Sequence, residues 1–576
     1  MPPGSRRTAA ATPHRPARPL AVLASALGAL WLAACSPSAQ ATVYYVDYGS
    51  GSDSASGKAP DKAWRHAPGD PLATDGPKAA QLAPGDTVRF KGGVVYRGSI
   101  VLKADGAEGA PITYAGDAWG DRPAMFDGSD PVVSATPCPS AEACGQARNW
   151  TQLSLIEFTP PKTKMIKFFD GQGMLYESQF PRAKDPFFSD DIGGYVEIPE
   201  GDFQRGQAGE IQSSELAKAL EHGGGGAELS IWARGNRVTR RPVDAIEGDV
   251  LRFAPNGLQL YDDRPGKAAV ANAPGLIDAP GFYAVIAPGR AVAWLRPGAA
   301  DGLVVGSGRG GFDIKGRSDV AIRGFVFQHY SAGKHGEGVQ VTNSGPLARR
   351  VLIAKNVFRR SALYTGAGAI MIGKVDGAEI SENTFAEIER GSGIRTNAKP
   401  VSNLRIVGNR FERLGQTGIL VMSSTDVLVS KNLMTGLKGI HGNGISIYLE
   451  NRRVTVSDNR ILDSDRPMTF HGEDPVQAGD HDLVIERNLF SATGPTSSAP
   501  IISFGKVRGV TISNNVLVGR RFGMLLSPKD QRVTVTDNRT SAIDIKGDQP
   551  ADWVMRNNKP PSRAETQEAA AAPTSD

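Results

Sequence analysis

Apolar and polar positions alternate along much of this chain, and from Val351 to Thr540 the alternation returns as one recurring phrase. It reads VLIAKNVF at Val351–Phe358, AEISENTF at Ala378–Phe385, LRIVGNRF at Leu404–Phe411 and VLVSKNLM at Val427–Met434. It continues as VTVSDNRI at Val454–Ile461, LVIERNLF at Leu483–Phe490, VTISNNVL at Val510–Leu517 and VTVTDNRT at Val533–Thr540. Each phrase carries an asparagine at one place: Asn356, Asn383, Asn409, Asn432, Asn459, Asn488, Asn515 and Asn538. Their spacings are 27, 26, 23, 27, 29, 27 and 23 residues. A repeat of this length marks a solenoid. Period-two alternation rich in Val, Ile and Thr predicts strands and not helices.

A second short strand precedes each phrase: GVQV from Gly338, AIMI from Ala369, GIRT from Gly393, GILV from Gly418, GISI from Gly444 and PMTF from Pro467. Two or three short strands per repeat, without a helix, make one coil of a β-helix, whose coils stack ~4.8 Å apart as a parallel sheet. The asparagine then recurs at one corner, where its amide can bond its own turn and that of the next coil. Asparagine also tolerates the left-handed backbone that a corner requires. From about Asp301 to Lys546 the chain therefore resembles the right-handed parallel β-helix superfamily of pectate lyases and related carbohydrate enzymes. The expected fold class is all-β, a right-handed parallel β-helix solenoid. The asparagine ladder identifies a scaffold and is silent about chemistry.

Earlier in the chain, VYYVD (Val43–Asp47), LAPGDTVRFKGGVVYRGSIVL (Leu82–Leu102), GAPITYAGD (Gly109–Asp117) and AMFDGS (Ala124–Ser129) resemble the first coils of secreted β-helix carbohydrate enzymes. The period is lost from about Ser134 to Ala300, although strand-like runs remain at Met165–Phe169, Met174–Glu177, Ala227–Ala233, Val250–Phe253, Gly281–Ile286 and Ala291–Leu295. A short helix is expected at Ser214–His222, with serine caps and Glu215 at its start. This stretch reads as a small β-rich domain inserted in the solenoid, similar to the insertion in several β-helix glycosidases. FFDGQGMLYESQFPRAKDP (Phe168–Pro186) and LIDAPGFYAV (Leu276–Val285) carry that resemblance. An acidic-aromatic pair expected after the Pro-Gly is Phe282-Tyr283 here, which weakens any transfer of chemistry. The expected organisation is a signal at 1–35, a cap and first coils at 36–133, an insertion at 134–300, coils at 301–546, and a C-terminal cap with a disordered tail at 547–576. The tail Arg563–Asp576 is rich in Ala, Glu, Thr and Pro.

The N-terminus sets the compartment. Met1–Pro19 carries four arginines and no acid, and Leu20–Ala34 is an apolar run too short to span a bilayer. It ends Leu-Ala-Ala-Cys35, which is read as a secretory signal with a lipobox, Cys35 being the lipidated residue. Ser36 follows it, which by resemblance to bacterial lipoproteins directs the chain to the outer membrane. Cleavage after Ala39-Gln40-Ala41 would instead release a soluble periplasmic protein. In an oxidising compartment Cys138 and Cys144, six residues apart, are expected to close a small disulfide loop. The formal charge of +5 includes the signal arginines, yet residues 301–550 alone carry 32 basic and 24 acidic residues, a balance of +8. That balance favours an anionic ligand. Basic runs interleaved with aromatics are absent from the sequence, which argues against nucleic acid. The chain is expected to act as a monomer on a polysaccharide.

Candidate chemistry follows from the alternation. β-Helices bind chains outside one sheet, and the period-two rule sorts the side chains that face out. With Ile394, Ile419, Ile445, Ile447, Met468 and Phe470 inward, the outward set includes Arg395, Asn397, Ser446, Tyr448, Glu450, Thr469, His471 and Glu473. The polar group is densest in KGIHGNGISIYLEN (Lys438–Asn451) and PMTFHGEDP (Pro467–Pro475). Catalytic candidates are Arg395, His441, Tyr448, Glu450, His471 and Glu473; substrate-binding candidates are Asn397, Asn443, Asp474 and Lys374. His335, Glu337 and Tyr364 form a second rank on earlier coils. In β-elimination or C5-epimerisation of a uronic acid, Arg395 would neutralise the carboxylate while His or Tyr moves protons. In hydrolysis, a pair such as Glu450 and Glu473, with Asp474 as a substitute, would flank the bond. The lyase or epimerase reading leads. A glycoside hydrolase and a non-catalytic glycan-binding or surface-structural solenoid are the alternatives. No metal ligand set is assigned, because Asp463, Asp465 and Glu473 are too scattered to form one; calcium is kept as a candidate cofactor.

Overall fold

The computed structural model describes residues 41–571, apart from 162, 164, 235–236, 261–264, 333–336, 342–344, 398, 474–480 and 495–496. Cys35, His335 and Asp474 lie outside the described residues. From Ala41 onward the chain clusters as one unit.

The recurring phrase builds a 13-stranded sheet in which neighbours run parallel. It starts with Val43–Val46, Thr87–Phe90 and Ile112–Ala115, continues through Val320–Arg323 and the phrase strands, and ends on Val554–Arg556. Alternation sets the register: Val351 stands on Ala378, Ala378 on Leu404 and Leu404 on Val427, all inward and buried in one continuous core. After each asparagine a second strand follows, such as Val357–Leu363 or Thr384–Glu389, and then a third, such as Gly368–Ile372 or Ser392–Thr396. Each stacks on its counterpart in the next coil. The phenylalanine that ends the early phrases drives this stacking. Phe327, Phe358, Phe385 and Phe411 lie ring on ring, 4.8, 5.0 and 4.7 Å apart. Burying each ring is worth about 1.5–3 kcal/mol. The fold is a right-handed parallel β-helix solenoid.

At the corner, each asparagine Nδ2 donates to Oδ1 of the next, 2.9–3.0 Å away, from Asn356 to Asn538. The backbone N–H of each donates to that same Oδ1, so the ladder leaves no polar group of the corner unpaired. Asn558, which the phrase pattern does not reveal, closes it. One expectation needs correcting. The left-handed residue is the one before each asparagine, among them Lys355, Glu382, Lys431, Asp458 and Arg487 with φ of 57, 55, 57, 59 and 54°. The asparagine is selected for its buried amide and not for its backbone tolerance.

The chain leaves the solenoid after Met125–Asp127 and resumes at Phe312–Asp313. Ser129–Pro131 on the way out pairs with Val304–Gly306 on the way back. Between them lie sheets whose strands pair antiparallel, except that Tyr176–Glu177 runs parallel to Phe282–Ala287. One orders Tyr176–Glu177, Phe282–Ala287, Arg290–Trp294, Ser154–Glu157 and Ser134–Pro137; another is built on Glu228–Arg234, Arg237–Pro242 and Gly266–Ala271. Leu216, Leu229, Ile231, Leu251 and Val270 give the region a core of its own. A helix runs Ser214–Ala219, with the Ser213 side chain accepting from the Leu216 N–H. Cys138 and Cys144 are disulfide-bonded with Cα atoms 6.1 Å apart. Phe282 and Tyr283, the departure noted above, are both buried.

The tail also departs from expectation. Arg563–Ala570 is a helix, capped by Ser562 and Glu565 in a reciprocal box, and Ala569 packs against Leu462, Leu489 and Val518. The Ser-x-x-Glu cap and this apolar contact outweigh the disorder-prone composition. Residues 572–576 lie outside the described chain. Among the described residues no helix is long and apolar enough to cross a membrane.

Candidate functional site

Third-strand alternation places the sequence-derived candidates. Arg395 pairs with Leu420, Leu420 with Ser446, and Ser446 with Thr469, while Tyr448 pairs with His471 one step along. All face outward. Arg395 is half-buried between the outward Met371 and Leu420, which are 6% and 8% exposed. Among the described residues it has no ion pair or hydrogen bond, and burial alone pulls its guanidinium below its ordinary value. Burial raises the Tyr448 hydroxyl, which lies near Thr469 and Ser446. Burial and then Lys506 lower the His471 imidazole, against the attraction of Glu473.

The remaining candidates take other places. Asn443 is 3% exposed and donates to the Ser446 hydroxyl at 3.1 Å. Asn397 shapes its turn, its Oδ1 accepting from the Lys399 N–H, and Lys374 donates to the Gly345 carbonyl at 3.1 Å. Glu450 turns to the next corner, where its carboxylate stands 3.9 Å from Nε2 of His481. Glu473 is exposed. Glu450 and Glu473 each stand two residues beyond the paired Tyr448 and His471, on neighbouring coils. No three His, Cys, Asp or Glu side chains gather as a metal site among the described residues, and Asp463 is paired with Lys438 at 3.1 Å.

A second constellation lies where the inserted region meets the corners between second and third strands. Arg413 grips Asp185 through two bonds of 2.9 Å, and its guanidinium lies 4.7 Å from the Phe187 ring. Arg390 donates to the Ser189 hydroxyl at 3.0 Å. Two arginines from neighbouring coils thus hold the segment 185–189 and set Asp190 against the turn that carries His441. There Gly439 has φ +98°, and a Cβ on it would sit 2.9 Å from Asp190 Oδ1, so the turn admits only glycine. Below, Lys167 is ion-paired with Glu389, their side chains 5% and 6% exposed. Arg240 bridges Glu177 and Glu228. Tyr176, Tyr195 and Tyr283 complete the lining, the last donating to the Ile166 carbonyl at 2.7 Å.

Three carboxyls therefore lie around Arg390, and their environments differ. Burial raises Asp190 to about 6 despite Arg390. Burial also opposes the charge of Glu177, yet Arg240 and Arg390 hold it below the ordinary carboxylate range. Burial pulls the Lys167 ammonium down, against Glu389. A carboxyl that holds its proton up to about pH 6 and a second one held ionised have the division of roles that acid-base cleavage uses. The sequence reading did not single out these residues. Glu177 stood inside a quoted phrase and Asp190 in the acidic pair of FFSDDIGG, but their meeting with Glu389 depends on how the insertion docks.

The family model described as right handed beta helix region matches residues 303–461. No curated protein matches the chain at a significant level. Among solved structures, one described as a glycoside hydrolase covers 92% of this chain and 99% of its own at 11% identity, with a TM-score of 0.58. XylC in complex with xylose aligns at 12% identity over 88% of this chain and 70% of its own, TM-score 0.41. A lacto-N-biosidase from Eubacterium ramulus aligns at 11% identity over 90% and 67%, TM-score 0.35. At these identities the likeness is one of fold.

Proposed function

We propose that this right-handed β-helix chain is an exported enzyme that hydrolyses glycosidic bonds in the cleft between its insertion and its solenoid. Asp190 is the general acid, protonating the leaving oxygen, and Glu177 is the ionised partner on the other side of the bond. The observation that carries this reading is the divergence of the two carboxyls, Asp190 raised to about 6 and Glu177 lowered. Arg390 steadies both, and Lys167 keeps Glu389 fixed as part of the wall. The likeness in fold to a glycoside hydrolase over nearly its whole length agrees with the reading. Cys35 supplies an outer-membrane lipid anchor, with cleavage after Ala41 as the soluble alternative.

A second reading is β-elimination or C5-epimerisation of an anionic glycan. Its support is Arg395, a half-buried cation with no anionic partner among the described residues, suited to a sugar carboxylate. A panel of glycans, read for both new reducing ends and ultraviolet absorbance, separates the readings. Hydrolysis yields reducing ends without absorbance, and Asp190→Asn should lower its rate by at least about a hundredfold. An unsaturated absorbing product that survives Asp190→Asn would establish the second reading. Binding with neither product would leave a glycan-binding solenoid.

A further inference from the structure

The outward row one step beyond Arg395 ends in aromatics. Tyr448 stands beside His471, and Phe504 follows one coil later, its N–H bonded to the Phe470 carbonyl. The rings converge. Tyr448 meets His471 edge to face at 6.3 Å and Phe504 at 6.5 Å, with interplanar angles of 77 and 88°. Phe504 is 47% exposed. The polar groups around this corner carry both signs: Arg466 acts on Tyr448, and Lys506 and Glu473 act on His471.

We infer that Tyr448, His471 and Phe504 form an aromatic platform that seats a sugar ring of a glycan lying along the third sheet. The inference rests on the glycan-acting reading and extends it to a binding subsite away from the Asp190 cleft. Three features select a glycan over another occupant. Rings meeting at a right angle offer one open face and one edge, which suits a sugar's apolar C–H face and its hydroxyl rim. The flanking charges supply hydrogen-bonding partners for those hydroxyls. The platform also shares its face with Arg395: Ile502, one residue row from Phe504, pairs with Thr469, Thr469 with Ser446, Ser446 with Leu420 and Leu420 with Arg395. Four coil steps of ~4.8 Å separate the two, a distance that an extended glycan of several sugars spans.

The test is calorimetric titration of the full chain with cellohexaose and with hexagalacturonic acid. Wild type is expected to bind at least one. Phe504→Ala should weaken that binding about tenfold, the value of one aromatic contact. Phe504→Trp should retain it, and Leu72→Ala, which removes a still more exposed apolar side chain near the first coils, should leave it unchanged. Equal binding by wild type and Phe504→Ala overturns the platform alone. A wild type that binds neither hexasaccharide, together with a glycan panel that yields no product, overturns the glycan reading itself.

Discussion

Replacing Lys167 by Met tests whether the insertion is fastened to the solenoid by a buried charge. Lys167 and Glu389 are 5% and 6% exposed at their side chains, so water offers neither a substitute partner. Removing the ammonium leaves the Glu389 carboxylate in a site built for a pair. Breaking one side of a buried ion pair costs about 3–5 kcal/mol. At about 1.4 kcal/mol per factor of ten, the opened state becomes roughly 100- to 4,000-fold more populated. The Lys167 carbonyl accepts the Gly306 N–H, and Phe168 and Phe169 pair with Val305 and Val304, so the root of the insertion should report the opening. Hydrogen exchange at 167–170 and 304–306 should accelerate by that factor, while 404–411 in the phrase sheet stays protected. The double variant Lys167→Met, Glu389→Gln removes the stranded charge and should recover most of the loss. Unchanged exchange in Lys167→Met, or a double variant as open as the single one, would refute the reasoning.

Two further outcomes concern the scaffold. Asn432→Ala deletes the donor to the Ile406 carbonyl and the acceptor for the Asn409 N–H, all buried, and should destabilise by about 3–5 kcal/mol, read as an earlier urea transition. Asp530 is 1% exposed and burial raises it to about 6, against its bonds from Ser503 and Val507. Because the folded value lies above the unfolded one, the stabilisation is complete below about pH 4 and is lost as pH rises through about 6, a change of about 3 kcal/mol. Asp530→Asn should flatten the decline in denaturation midpoint between about pH 4 and pH 6, and an unaltered decline would contradict the assignment.

The solenoid was legible because its rules are local and repeated. One alternation error would have turned Ile394, Ile419 and Ile445 outward, and all three lie in the core. The same rule placed Arg395, Ser446, Tyr448, Thr469 and His471 on the outer face. It failed where strands end. Glu450 lies two residues beyond the end of its strand, where no periodicity fixes its direction, and its carboxylate stands near His481. The cleft was hidden for another reason. Asp190 and Arg390 are 200 residues apart, and their meeting is decided by docking of the insertion, which the pattern along the chain does not encode. The Arg563–Ala570 helix is signalled by Ser562 and Glu565, a local cap that bulk composition does not register.

The point at which the chain leaves and rejoins the solenoid has a consequence for its history. Ile112–Ala115 and Val320–Arg323 are direct neighbours in the phrase sheet, with Ile112 on Val320 and Tyr114 on Ile322. The sheet therefore runs through the interruption without a gap. Both proposed catalytic carboxyls, Asp190 and Glu177, travel with the interrupting segment, whereas Arg395 and the aromatic row belong to the coils. Such a layout lets a lineage exchange the cutting tool while keeping its grip on the polymer, or retune the grip by adding coils while the tool stays as it was.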